Sequence, residues 1–171
     1  MIDVPCGDAN WIFDSFETDT LPMYVGFDIV NDVIKVNKQR FAHHNNKQFH
    51  FWDAVNCVLP KFRNETSGIK QWFDLVHMRD VIQHMSPELG VKFFCNVFRV
   101  GPRVLITTSY EQTGGSTNIT EGDWYPNNLL HEPFSFPKAD CTPTHPNIEN
   151  DVTCVYNLTE DWVREFLSSS C

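Results

Sequence analysis

Met1-Ile2-Asp3-Val4-Pro5-Cys6-Gly7-Asp8-Ala9-Asn10-Trp11 reads as a short strand, a tight turn and the first residues of a helix. The strand stops at Pro5-Cys6-Gly7-Asp8, where Gly7 lets the backbone pass close to a ligand. A helix is expected over about residues 10–16. A strand, a glycine-bearing turn and a helix form the opening unit of a βαβ crossover.

The same alternation continues outward. Residues 23–29 make a second strand bearing Asp28, and Asn31 or Asp32 is placed to cap the helix that follows. That helix carries Val33, Ile34 and Val36 before basic Lys38 and Arg40, which suit a helix carboxyl end. Residues 48–52 suit a third strand with Asp53 at its end, and residues 73–78 a fourth, followed by a loop or helix over 79–85. Ser86-Pro87-Glu88 combines a hydroxyl cap, a first-turn proline and an early acid. Leu89, Phe93, Phe94, Val97 and Phe98 then form a helical stripe that Gly101-Pro102 ends. A fifth strand covers 103–109, another lies over 152–156, and Thr159-Glu160-Asp161 caps a last helix through Trp162, Val163 and Phe166. Residues 111–150 are rich in Gly, Pro, Asn and Thr, and a loop of that length is expected to cover a site. The fold class is α/β, a doubly wound and mainly parallel sheet, in one domain over 1–171.

Composition narrows the function classes. Hydrophobic residues make up 42% and charged residues 20%, which suits a packed core and not a disordered chain. A net charge of −9 lacks the basic footprint of a nucleic-acid binder. No apolar run approaches the roughly 20 residues of a membrane span. The six cysteines contain no CxxC pair, so no metal site is expected, and proximity favours Cys141 with Cys154 as a disulfide. N-x-S/T sequons stand at Asn64, Asn118 and Asn157. No signal-peptide pattern precedes the first strand, so the compartment stays open: cytoplasmic, or the secretory lumen if the sequons are used.

In doubly wound sheets, ligands sit beyond the carboxyl ends of the strands where the strand order reverses. Three acids fall at such ends: Asp3, Asp28 and Asp53. Asp28 is placed to accept both hydroxyls of a ribose, and Asp53 an adenine amino hydrogen. Together with the Gly7 turn they are expected to bracket an adenosine. The competing reading is that each acid is solvated or caps the following helix.

Ile2-Asp-Val-Pro-Cys-Gly-Asp-Ala-Asn-Trp11, Tyr24-Val-Gly-Phe-Asp-Ile-Val30 and Phe73-Asp-Leu-Val-His-Met-Arg-Asp-Val-Ile-Gln-His84 resemble the successive motifs of class I S-adenosylmethionine (SAM) dependent methyltransferases. More narrowly they resemble a family whose first motif is DxPCGDxxW, as do Gly122-Asp-Trp-Tyr-Pro-Asn-Asn-Leu-Leu and Pro133-Phe-Ser-Phe-Pro137. The resemblance implies a seven-stranded Rossmann-like sheet with SAM as cofactor. It puts Asp3, Pro5, Cys6, Gly7, Asp8, Asn10, Trp11 and Arg79 around the methionine part, Asp28 at the ribose and Asp53 at the adenine edge. Ile29 and Trp52 would then sandwich the adenine. Because Met1 falls at the start of the first strand, amino-terminal elements that cover the site in this family are expected to be missing.

Asp80 and His84 follow the fourth strand at i, i+4 spacing, which on a helix would put them on one face. His84 is then the candidate base for a hydroxyl acceptor, with Asp80 orienting it; the alternative has both in structural roles. Trp124, Tyr125 and Asn128, with Asn127 and Phe134 nearby, are the candidate acceptor wall. Aromatics flanked by amides suit a small molecule or glycan, or else the rings pin the loop to the core. His43, His44 and His50 read as surface residues, and Cys6 as packing and not a nucleophile. The leading function is methyl transfer to a small or carbohydrate-like hydroxyl, and the alternative is a non-catalytic binding or scaffold module of the same fold. A nicotinamide-dependent oxidoreductase would need a GxGxxG turn and no acid at Asp8.

Overall fold

A computed structural model describes residues 1–15, 23–60, 73–111, 123–144 and 150–171. In chain order these are β1 (Ile2–Asp3), α1 (Asn10–Ser15), β2 (Tyr24–Asp28), α2 (Asn31–Arg40), β3 (Lys47–Phe51) and β4 (Leu75–Met78). After a 3-10 turn at Ile82–His84 come α3 (Pro87–Phe98), β5 (Val104–Tyr110), β6 (Asp140–Pro143), β7 (Asp151–Asn157) and α4 (Asp161–Ser170). The sequons at Asn64 and Asn118, residue Phe16 at the end of the expected first helix, and Gly122 lie outside the described residues.

The strands join in one seven-stranded sheet of order β3-β2-β1-β4-β5-β7-β6. Strands β1 to β5 are parallel to one another, whereas β7 is antiparallel to both β5 and β6. Strand β6 therefore runs with the first five, and only β7 is reversed. From β1 the chain builds outward through β2 and β3 on one side and then returns to build β4 and β5 on the other. The carboxyl ends of β1 and β4 therefore flank the crevice expected where the order reverses.

Residue alternation sends the two faces into separate cores. Ile2, Val25, Phe27, Val76, Met78 and Leu105 face α3 and α4 with Phe94, Val97 and Phe166. Tyr24 and Phe49 face Phe13 of α1 and Ile34 of α2, with Cys6, Ala9 and Phe41. Gly26 permits the closest approach on this second face: a Cβ there would lie 2.8 Å from Phe49 Cδ1 and 2.9 Å from Cys6 Sγ.

Several local expectations need correction. Helix α2 has Val30 at its N-cap, with neither Asn31 nor Asp32 capping it. The Val30 amide donates instead to Asp28 Oδ1 (2.9 Å), and Asp32 pairs with Lys35. For α3 the expected cap is present, with Ser86 Oγ accepting from the Leu89 amide and Pro87 opening the helix. Strand β3 ends at Phe51, so Asp53 lies two residues past it. The stretch 111–150 is not structureless where it is described. It contains β6, which Cys141 ties to Cys154 of β7 in the disulfide that proximity favoured. Phe136 sits at 4.9–5.8 Å from the rings of Phe94, Phe98, Tyr156, Trp162 and Phe166, fixing the segment to the core. A second disulfide, Cys95–Cys171, joins α3 to the residue following α4.

Candidate functional site

The β1 turn is held from three sides. The Cys6 amide donates to the Phe27 carbonyl (2.8 Å), the Gly7 amide to Asp28 Oδ2 (2.9 Å), and Asn37 Nδ2 of α2 to the Gly7 carbonyl (2.7 Å). Gly7 has φ +50° and nothing within 4 Å of a would-be Cβ, so its outer side is open space beside the tips of β1 and β2. Asp8 accepts from the backbone and side chain of Asn10, and Arg40 donates to both the Asn10 side chain and the Asp8 carbonyl.

The three acids do not form the joint bracket expected of them. Asp3 is fully buried, its carboxylate taken by Tyr24 Oη (2.6 Å) and His77 Nδ1 (2.7 Å). Burial, with the adjacent Asp3 charge, pushes the Tyr24 phenol far up, so it stays a donor. Asp28 alone bridges two strand tips, through the Gly7 and Val30 amides. Asp53 accepts from the Val55 and Asn56 amides and from Asn56 Nδ2, which holds its carboxyl below the usual range, the Asn56 side chain contributing most. It closes its own turn at the end of β3.

Above the buried Asp3–His77 pair, the Trp11 ring lies 4.3 Å from the His77 ring, and the Arg79 guanidinium 5.6 Å from Trp11. On the other side of Asp28, Ile29 is 58% exposed and Phe51 52% exposed, leaving an apolar wall uncovered at the tips of β2 and β3. Trp52 packs against Phe27 and donates to the Cys57 carbonyl. Pro5 is half-buried in the turn. Burial, followed by the charges of Asp3 and Asp28, raises the Cys6 thiol well above its ordinary value, which opposes the thiolate form that a nucleophile needs.

Asp80 and His84 are not on one helical face. Asp80 has φ +51°, its amide donates to Thr108 Oγ1 (3.0 Å), and its carboxylate meets Arg79 at 3.2 Å. The left-handed residue breaks the chain before the short 3-10 turn, so i, i+4 spacing carries no shared face. His84 instead places Nδ1 3.0 Å from the Asp123 carbonyl. A carbonyl only accepts, so Nδ1 carries the proton there and Nε2 is the ring nitrogen left to take one.

Of the expected acceptor wall, Trp124 and Asn128 come together around Tyr110. The Trp124 ring is 5.4 Å from that of Tyr110, and Asn128 bonds the Glu111 carbonyl and the Leu130 amide. Tyr125 and Asn127 are buried instead, and Phe134 packs on Phe94. A cavity of about 240 Å³ opens here, with Tyr110, Glu111, Asn128, Lys138 and the Cys141–Cys154 pair among its walls. Burial raises the Tyr110 phenol, Trp124 opposes this, and the carboxylates of Asp151 and Asp80 add to it. Among the described residues, no cluster of His, Cys, Asp or Glu is suited to a metal ion, and no helix is long and apolar enough to cross a membrane.

Tyr24, His77, Asn37 and Thr108 were missed by sequence reasoning. A polar residue inside the apolar run of β4 was the available signal for His77. Asn37, three positions after Ile34 on the buried side of α2, was another.

No protein-family model matches the chain, and no curated protein matches it. Solved structures do share its fold. The methyltransferase domain of bacterial CtHen1-CN superposes with TM-score 0.60 at 15% identity, over 91% of this chain and 88% of that one. Magnesium protoporphyrin IX methyltransferase (ChlM) from Synechocystis PCC 6803 with bound SAH gives 0.60 at 15% identity, over 90% of this chain and 71% of that one. Against PKMT2 from Rickettsia typhi in complex with AdoHcy the TM-score is 0.50 at 15% identity. The chain spans only 20% of that protein's length and covers 64% of its own. The fold is therefore that of Rossmann-like methyltransferases.

Proposed function

We propose that the chain is a SAM-dependent methyltransferase acting on a small or carbohydrate-like hydroxyl acceptor. The observation that carries this reading is the Gly7–Asp28 bond between neighbouring strand tips, beside open space at Gly7 and an uncovered apolar wall at Ile29 and Phe51. Those features fit an adenosine. Each Asp28 oxygen spends one acceptor site on an amide and keeps another for a ribose hydroxyl. Ile29 flanks the adenine with Trp52, and Asp53 keeps Oδ2 acceptor capacity toward its edge. Pro5, Cys6, Gly7, Asp8, Asn10, Trp11 and Arg79 surround the methionine end, while Asp3 supports the turn from beneath.

When bound, the sulfonium supplies the methyl group for an in-line displacement by the acceptor oxygen. The chain's own part is mainly positioning, with one proton to remove. His84 takes that proton on Nε2, while the Asp123 carbonyl fixes its tautomer. Asp80, held by Thr108 and Arg79, faces the acceptor as a hydrogen-bond acceptor. Asn128 lines the acceptor cavity at Tyr110, whose size suits one small ring or sugar, and Trp124 packs against the Tyr110 ring.

Calorimetry with S-adenosylhomocysteine tests the cofactor half. Micromolar binding is expected, lost in Asp28→Ala and weakened in Asp28→Asn, with folding checked by circular dichroism. A folded protein that binds neither SAM nor S-adenosylhomocysteine refutes the reading. The second reading, a binding module without catalysis, draws on Asp28 already serving two backbone amides; binding without turnover on any acceptor would select it.

A further inference from the structure

Asn157 closes β7 and begins the acceptor sequence Asn157-Leu158-Thr159. The side chain is exposed. Its Oδ1 accepts from the Thr159 amide (3.1 Å) and from Thr159 Oγ1 (2.8 Å). The carboxamide oxygen is thus held back against the chain, with the threonine hydroxyl beside it, and Nδ2 is left without a bond to any described residue. An acceptor amide with its hydroxyl in place is what an N-glycosyl transferase requires of its substrate.

The cysteine pairing points independently to the kind of compartment where such transfer occurs. Four of the six cysteines are paired, as Cys95–Cys171 and Cys141–Cys154. Structural disulfides persist in oxidising compartments and are rare in the cytosol. The topology also keeps a glycan clear of the candidate site. Because β7 is reversed, Asp151 lies opposite Tyr110 at the site edge and Asn157 opposite Val104 at the far edge. At roughly 3.3 Å per residue the two ends of β7 are about 20 Å apart.

We propose that Asn157 is N-glycosylated and that the protein matures in the lumen of the secretory pathway. Nδ2 attacks the anomeric carbon of a polyprenyl-pyrophosphate-linked oligosaccharide. The N–C bond forms, the C–O bond to pyrophosphate breaks, polyprenyl pyrophosphate leaves with the bonding pair, and the amide proton passes to solvent. The inference is independent of methyl transfer.

The test uses the full-length gene product isolated from its own cells with a thiol-alkylating reagent present. Treatment with peptide N-glycosidase in 18O water should convert Asn157 to labelled Asp in the peptide that contains it. Cys95–Cys171 and Cys141–Cys154 should be recovered as linked peptides. In the same cells Thr159→Ser should keep the glycan and Thr159→Ala lose it with the circular dichroism spectrum unchanged. An unlabelled Asn157 peptide, a Thr159→Ala chain still glycosylated at 157, or recovery of all four cysteines as alkylated thiols overturns the proposal. Reading the peptide itself separates Asn157 from the sequons at Asn64 and Asn118.

Discussion

At Gly26 the absence of a side chain fixes where the β1 turn sits. A Cβ at that position would meet Phe49 Cδ1 at 2.8 Å and the Cβ and Sγ of Cys6 at 2.9 Å, and Cys6 is itself tied to the Phe27 carbonyl. Neither neighbour can swing aside cheaply, because both are buried in one cluster. Gly26→Ala is expected to cost roughly 1–3 kcal/mol in urea denaturation, the usual range for overpacking. It should also weaken S-adenosylhomocysteine binding by displacing Gly7, so unchanged stability and affinity would mean that Gly26 does not set the position of the turn. Residue types at the strand tips were legible in the sequence, but the Asp28 bridge to the Gly7 and Val30 amides was not. Nor was the orientation of Asp3. Its partners Tyr24 and His77 lie 21 and 74 residues away, brought together only by strand order. A carboxylate at a strand end reads the same whether it faces a ligand or the core.

Among the elements, those with strong local signals were readable to within a residue or two, the ordinary fuzziness of their ends. Helix α3 shows why: a serine cap, a first-turn proline and an apolar stripe all specify the same segment. Strand β6 carries no such signal. Its residues Asp140, Cys141, Thr142 and Pro143 are all exposed, and only pairing with β7 makes them a strand. The left-handed Asp80 was equally invisible, since a helical spacing rule presumes a helix. The aromatics of the long connection could be read as a lid or as anchors, and the packing divides them. Trp124 stays half in solvent beside Tyr110, while Phe136 is 3% exposed among the rings of Phe94, Phe98, Phe134, Tyr156, Trp162 and Phe166. Phe136→Ala should therefore cost about 3–5 kcal/mol, as for other buried aromatics. A loss under about 1 kcal/mol by urea midpoint would mean that the segment is not part of the core.

Across the whole molecule, covalent reinforcement and the candidate cofactor site occupy opposite ends of the sheet order. Both disulfides lie in the half built from β5, β6, β7, α3 and α4, whereas the Gly7 turn, Asp28 and the Ile29–Phe51 wall belong to β1, β2 and β3. A cross-link acts chiefly by shortening the unfolded chain, so its effect follows the loop that it closes. The separations of 76 and 13 residues correspond to about 4.5 and about 3 kcal/mol in the chain-entropy account. The paired variant Cys95→Ala/Cys171→Ala should therefore lose more stability than Cys141→Ala/Cys154→Ala in urea denaturation. Affinity for S-adenosylhomocysteine should be unchanged in both. The second pair lines the cavity beside Tyr110, so its removal should instead raise the KM for an acceptor. If cofactor affinity fell along with stability in either variant, the disulfide-bearing half would be acting on the strand tips through the core that Ile2, Val25 and Phe27 share with Phe94 and Phe166.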